Sequence, residues 1–217
     1  MNMLSLTRSE NPRSNPTGLN NEFEYQGKTY PIDLSFDTLI SFYPLLDDEH
    51  FTADEKVSVA FEMFFGFKPQ DADFAVSAFE QISNYLREQP YGNDDDDEPN
   101  SDMQGTTTPA IKYYSYTQDA QAIYASFREQ YGINLLQEKG KMHWDEFKAL
   151  FAGLNDKTYM SRIIQIRMRD TSELKGQELT DALNAKQYYE LNENKTEEAR
   201  EQQFTGFMNT IKAWAQS

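Results

Sequence analysis

The chain has 217 residues, with 36 acids against 20 bases (net charge −16) and no cysteine. That length provides for one large or two small domains with a sizeable core. The missing cysteines exclude disulfides, thiolate nucleophiles and cysteine metal sites, and the acidity repels a phosphate backbone, which argues against nucleic acid as a partner.

The 13 Tyr and 15 Phe predict a core filled largely by rings. No apolar run approaches the roughly 18 residues of a membrane helix, and no secretory signal is visible at the N-terminus. No membrane role is expected, and the lack of cysteine fits a reducing cytosol.

Residues 1–20 are polar and read as a flexible N-terminal arm. EFEYQGKTYPID (22–33) alternates apolar and polar residues on both sides of Gln26-Gly27, which predicts a hairpin. Pro31 restricts its second strand to an edge. Helical spacing follows. Ser35 is a candidate cap for a helix carrying Phe36, Leu39, Ile40, Tyr43 and Leu46, which Pro44 should kink or end. Ala53 opens a second run with Val57, Ala60, Phe61, Phe64 and Phe65, closed by Gly66 and Pro69. Asp71 or Asp73 opens a third, with Phe74, Ala75, Ala78, Phe79, Ile82 and Leu86 on one stripe.

The hydrophobic period then stops. Residues 91–116 are predicted to form an acidic loop, with six acids between 91 and 110. An EF-hand starting at Asp94 would need glycine where Pro99 stands and glutamate where Gly105 stands, so no calcium site is expected. Residues 117–217 read as a C-terminal helical part, expected to form one domain with the helices of 21–90. Thr117 is the candidate cap for a helix bearing Ala120, Ile123, Tyr124, Phe127 and Tyr131, stopped by Gly132. A connector with Leu135 and Leu136 leads to the next helix. Thr158 opens a helix with Met160, Ile163, Ile164, Arg167 and Met168. Leu179, Ala182, Leu183 and Tyr189 suggest another. Phe204, Phe207, Met208, Ile211 and Trp214 form a final amphipathic stripe. The fold class is therefore mainly α, a multi-helix globular fold with a small N-terminal hairpin and an acidic inter-helix loop.

The stretch His143-Trp144-Asp145-Glu146 decides between enzyme and binding protein. Placed on a helix over 143–154, Trp144, Phe147, Leu150, Phe151 and Leu154 share one face, and the two acids sit at the positive helix end. Against this, two histidines (His50 and His143) and no cysteine make a poor zinc set. HExxH, GxSxG, GxGxxG and GxxxxGK[ST] are all absent. The expectation is a helix start, with no catalytic residues, no metal and no cofactor. Arg162, Arg167 and Arg169 are candidate partner contacts, although arginines in an acidic chain more often pair with local carboxylates. The Phe204, Phe207, Met208, Ile211 and Trp214 stripe is the second candidate contact surface.

Asp119-Ala120, Tyr124-Ala125-Ser126-Phe127, Tyr131 to Leu135, Gly140 to Trp144, Phe147 to Leu150, Gly153-Leu154 and Ile166-Arg167 together resemble a bacteriophage family known as gene product fifteen, from tailed phages and prophages of Gram-positive bacteria. The resemblance covers about residues 21–190. Its genes usually lie between those of the major tail protein and the tape measure protein. The resemblance implies a non-enzymatic tail assembly chaperone in the host cell cytoplasm, with the tape measure protein as partner. The major tail protein and a second copy of the chain are further candidates. The alternative it implies is a minor structural component of the tail or its connector.

Overall fold

The computed structural model describes residues 19, 21–48, 50–69, 72–87, 100–101, 107–108 and 113–192. The arm at 1–18, most of the acidic segment, and the Phe204–Trp214 stripe lie outside the described residues. The elements in chain order are strands β1 (Glu22–Tyr25) and β2 (Lys28–Pro31), helices α1 (Phe36–Asp47), α2 (Ala53–Phe65) and α3 (Ala72–Arg87), strands β3 (Asn100–Ser101) and β4 (Thr107–Thr108), and helices α4 (Ala120–Tyr131), α5 (Trp144–Ala152), α6 (Tyr159–Met168) and α7 (Gly176–Tyr188). The fold is mainly α, as its helical spacing predicts. The described residues divide into two compact units, one drawn from 1–94 and 123–155 and the other from 95–122 and 156–192.

In the first unit β1 and β2 pair antiparallel, with Tyr25 opposite Lys28 and Glu22 opposite Pro31. The two loop residues, Gln26 at φ 50 and Gly27 at φ 71, both lie in the left-handed region. That is the type I′ geometry whose twist matches paired strands. The hairpin buries Phe23 against Phe65 and Phe74, with ring centroids 5.5 and 5.7 Å away. Helix α2 starts at a capping box, in which Thr52 and Glu55 each hold the other's backbone N–H, and stops at Gly66 in left-handed conformation.

Of the two outcomes expected at Pro44, a kink or an end, the end does not occur: α1 runs on to Asp47. Its buried stripe is Phe36, Leu39, Phe42 and Leu45, whereas Tyr43 and Leu46 are 38% and 49% exposed. The doublets Phe42-Tyr43 and Leu45-Leu46 offer two stripes at helical spacing, and packing selects the one that faces α2 and α5.

A second ring cluster surrounds Phe147, which is fully buried. Phe36, Phe127 and Trp144 stack on it at 5.0, 5.2 and 5.6 Å, with interplanar angles of 11°, 14° and 13°. These are offset stacks, the arrangement that ring quadrupoles favour. They fasten α1, α4 and α5 to one side chain.

In the second unit the segment predicted as an acidic loop contains a short ladder, with Asn100 opposite Thr108 and Ser101 opposite Thr107. Backbone pairing needs no hydrophobic period, so the pattern gave no signal for it. Helix α4 begins at Ala120, after a turn over 116–119, rather than directly after Thr117. Helix α6 is capped by Thr158, whose hydroxyl accepts from the Ser161 N–H. An exposed Arg169–Glu178 pair at 2.7 Å links the end of α6 to the start of α7.

Candidate functional site

In the first unit the polar centre is the start of α5. Ser35 and His143 face each other in an antiparallel bridge. The Phe36 N–H donates to the Met142 carbonyl at 3.0 Å and the Trp144 N–H to the Leu34 carbonyl at 2.8 Å. The first residue of each helix thus finds an acceptor just ahead of the other helix, and two orphan N–H groups are satisfied without water. Ser35 occupies the cap position of α1, yet its side chain makes no cap bond. Asp37, in the first turn of α1, accepts from the Gly140 N–H at 2.8 Å.

His143 is the cap of α5, and its Nδ1 accepts from the Asp145 N–H at 3.1 Å. In this contact the imidazole plays the part that serine, threonine or aspartate oxygens play at other helix starts, accepting an otherwise unpaired N–H of the first turn. Asp145 is buried as well, and its Oδ1 pairs with Lys148 Nζ at 3.1 Å. The Lys148 ammonium lies 5.6 Å from the Tyr85 ring centroid and 6.0 Å from that of Trp144. Asp145 Oδ2 has no hydrogen-bond partner among the described residues. The expected helix start is therefore present, and burial of Asp145 and its link to Lys148 are additions that the helical pattern did not reveal. Among the described residues no group of three or more His, Asp or Glu converges as a metal site.

Two glutamines act as backbone clamps, one in each unit. Gln130 donates to the Gly153 carbonyl at 2.9 Å and accepts from the Asn155 N–H at 2.8 Å. Gln118 donates to the Glu190 carbonyl at 3.0 Å and accepts from the Asn192 N–H at 2.9 Å. A side-chain amide has one donor face and one acceptor, and this spacing uses both. Tyr131 adds a bond to the Leu150 carbonyl at 2.9 Å, and burial pushes its phenol above the ordinary tyrosine value. At Gly153 a Cβ would stand 3.0 Å from the Tyr131 hydroxyl, which leaves little room for any side chain.

The second unit is organised around Arg167. Its guanidinium donates twice to Asp119, from Nη1 to Oδ2 at 2.6 Å and from Nη2 to Oδ1 at 2.8 Å. Nε donates to the Tyr189 carbonyl at 2.6 Å, and Nη1 donates again to the Tyr113 carbonyl at 3.0 Å. The side chains of the pair are 7% and 5% exposed. The planar fork suits a bidentate carboxylate, which lysine cannot reproduce. Asp119 Oδ2 also accepts from the Ser115 N–H at 2.9 Å. One ion pair thus holds the 113–119 turn, α6 and the chain leaving α7.

The three predicted contact arginines have different fates. Arg167 is turned inward, with its side chain 7% exposed and bonded to Asp119. Arg169 is paired with Glu178 on the surface. Arg162 is exposed and close enough to Tyr189 for its charge to act on that phenol. Tyr189 is pushed above the ordinary tyrosine value, first by its hydrogen bond with Tyr159. Phe204, Phe207, Met208, Ile211 and Trp214 lie outside the described residues.

The residue pairs Asp119-Ala120 and Ile166-Arg167 stand 48 positions apart at their ionic members and meet in one bidentate contact. A family model described as bacteriophage Gp15 protein matches residues 18–191. The chain belongs to that family. The Gp15 match closes at Leu191, which is 1% exposed and is the last buried residue described. The Asp119–Arg167 clasp, the paired starts of α1 and α5 and both clamping glutamines therefore lie in the Gp15 region, whereas the Phe204–Trp214 stripe lies beyond it. Searches among curated proteins and among solved structures each found no match.

Proposed function

We propose that this Gp15-family protein is a tail assembly chaperone. It binds the tape measure protein during tail morphogenesis in the cytoplasm of the infected bacterium and performs no catalysis. Membership in the phage family over 18–191 is the observation that carries this reading. Two features of the chain support it. Its polar clusters hold structure: His143 caps a helix, Asp145 pairs with Lys148, and Arg167 ties three segments together. Its surface combines a net charge of −16 with side chains such as Leu46 and Val57 left 49% and 41% exposed. An acidic body keeps a long apolar client in solution while exposed apolar side chains hold it.

An amber mutation in this gene tests the reading. Loss of the chain should leave the tape measure protein insoluble and abolish tails, and purified wild-type tails should contain no copies of this chain. Copies present in purified tails, with the tape measure protein soluble in the mutant, would instead make the chain a minor component of the tail or its connector.

A further inference from the structure

Four apolar side chains gather on the first unit where α1 passes into α2. Tyr43 is 38% exposed, Leu46 49%, Phe51 39% and Val57 41%. The Lys56 ammonium donates to the Leu46 carbonyl at 2.6 Å, which brings the first turns of α2 against the end of α1. Phe51 lies on the short connection between them, and Tyr43 leans on the buried Trp144 ring at 6.3 Å. Tyr43 and Leu46 are one helical turn apart on α1, and the Lys56 bond sets the start of α2, which carries Val57, beside the end of that helix.

The described charged side chains of the α1–α2 connection and the first turn of α2 are mainly acidic: Asp48, Asp54 and Glu55 against Lys56. That lysine is committed to the Leu46 carbonyl, at the negative end of the α1 dipole. His50 is bonded to Asp48, whose carboxyl is held below its ordinary value first by the His50 backbone N–H and then by the ring. A second copy of this chain docked symmetrically on the surface would bring two such acidic rims together, which like-charge repulsion disfavours. A partner with positive charge beside its apolar residues meets no such penalty.

We propose that the Tyr43, Leu46, Phe51 and Val57 surface, rimmed by Asp48 and Asp54, docks an amphipathic helix whose apolar stripe is flanked by lysine or arginine. This rests on the chaperone reading insofar as the helix belongs to the tape measure client. Leucine-type anchors fill the surface between the rings, and the flanking cations meet the acidic rim.

The test uses the full chain and a labelled helical peptide of about 20 leucines and lysines, roughly 30 Å long, with a leucine/glutamate counterpart. Fluorescence anisotropy should show that the wild type binds the lysine peptide and not the glutamate peptide. Leu46→Glu/Val57→Glu should weaken binding at least about tenfold, with the melting temperature lowered by no more than a few degrees, because both side chains are about half exposed, and with the helical circular dichroism of the wild type. The added carboxylates would strengthen a merely electrostatic association, so a loss of affinity can come only from the apolar surface. Undiminished binding by the variant, or no binding by the wild type, overturns the proposal. So does wild-type self-association, measured by ultracentrifugation, that the variant abolishes. The same pair of proteins is then tried on the tape measure protein. Equal retention by wild type and variant overturns the surface and leaves the chaperone reading standing. Peptide binding that is lost in the variant, with no retention of the tape measure protein by either, supports the surface and removes the chaperone reading.

Discussion

Arg167→Met isolates the contribution of the buried clasp. Methionine keeps much of the apolar stem and removes the guanidinium. Two charge-assisted bonds to Asp119 disappear, and so do the bonds to the Tyr189 and Tyr113 carbonyls. Each carbonyl bond contributes about 1 kcal/mol net. The larger cost is a carboxylate left 5% exposed without its cation. Breaking a buried pair from one side costs about 3–5 kcal/mol, a range that includes part of the carbonyl bonds. A loss near the middle of that range raises the local unfolding constant by roughly a thousandfold. Hydrogen exchange read by mass spectrometry is the suitable assay, because it resolves 113–122 and 156–192 separately from the other unit. Exchange in those segments should accelerate by two to three orders of magnitude, up to the limit set by global stability, with that of 21–87 and 123–155 changing far less. Asp119→Asn/Arg167→Met should recover part of the loss, because a neutral amide tolerates burial and can still accept from Ser115. An acceleration of less than about fivefold, the size of an exposed ion pair, would refute the reasoning. Strictly additive single mutants would refute it too.

Phe147→Ala should destabilise the first unit by about 3–5 kcal/mol, since it leaves a cavity among four stacked rings; urea unfolding followed by tryptophan fluorescence reads it, and a loss below about 1 kcal/mol would mean that the stack collapses freely. Thr52→Ala should cost about 1 kcal/mol through the lost cap, measured in the same way. The Thr52 backbone N–H and hydroxyl hold the Glu55 carboxyl below its ordinary value. The folded value is depressed, so this contribution is present above the unfolded glutamate value and is lost as pH falls through the folded one. Wild type should therefore lose stability over that acid window relative to Glu55→Gln, which cannot titrate there, and parallel pH profiles for the two would remove the capping box from the account.

The hairpin and most helices were legible because their residues carry local signals. Gln26-Gly27 between alternating runs, Gly66 after an apolar stripe and Thr158 before one each act within a few residues. His143 at a helix start was legible for the same reason, since a stripe of Trp144 and Phe147 begins directly after it. The choice between Tyr43 and Phe42, or Leu46 and Leu45, was not, because both stripes have helical spacing and only the neighbouring helices decide. Arg167 illustrates a longer reach. Its partner is 48 residues away, and nothing local distinguishes it from Arg169, which stays on the surface. Gln118 and Gln130 gave no signal, because a glutamine looks the same in sequence whether its amide meets water or a backbone. Asp145 was read as a first-turn acid at the positive helix end; that it is buried and paired with Lys148 was not legible, because a helix start carries the same local signal whether its acid faces water or the interior.

The most direct test of the chaperone account is co-expression of this chain, tagged, with the tape measure protein of the same phage, followed by measurement of the soluble tape measure protein that elutes with the tag. The account predicts that the client is insoluble alone, becomes soluble with this chain and co-elutes with it. A client that stays insoluble and unbound would contradict it.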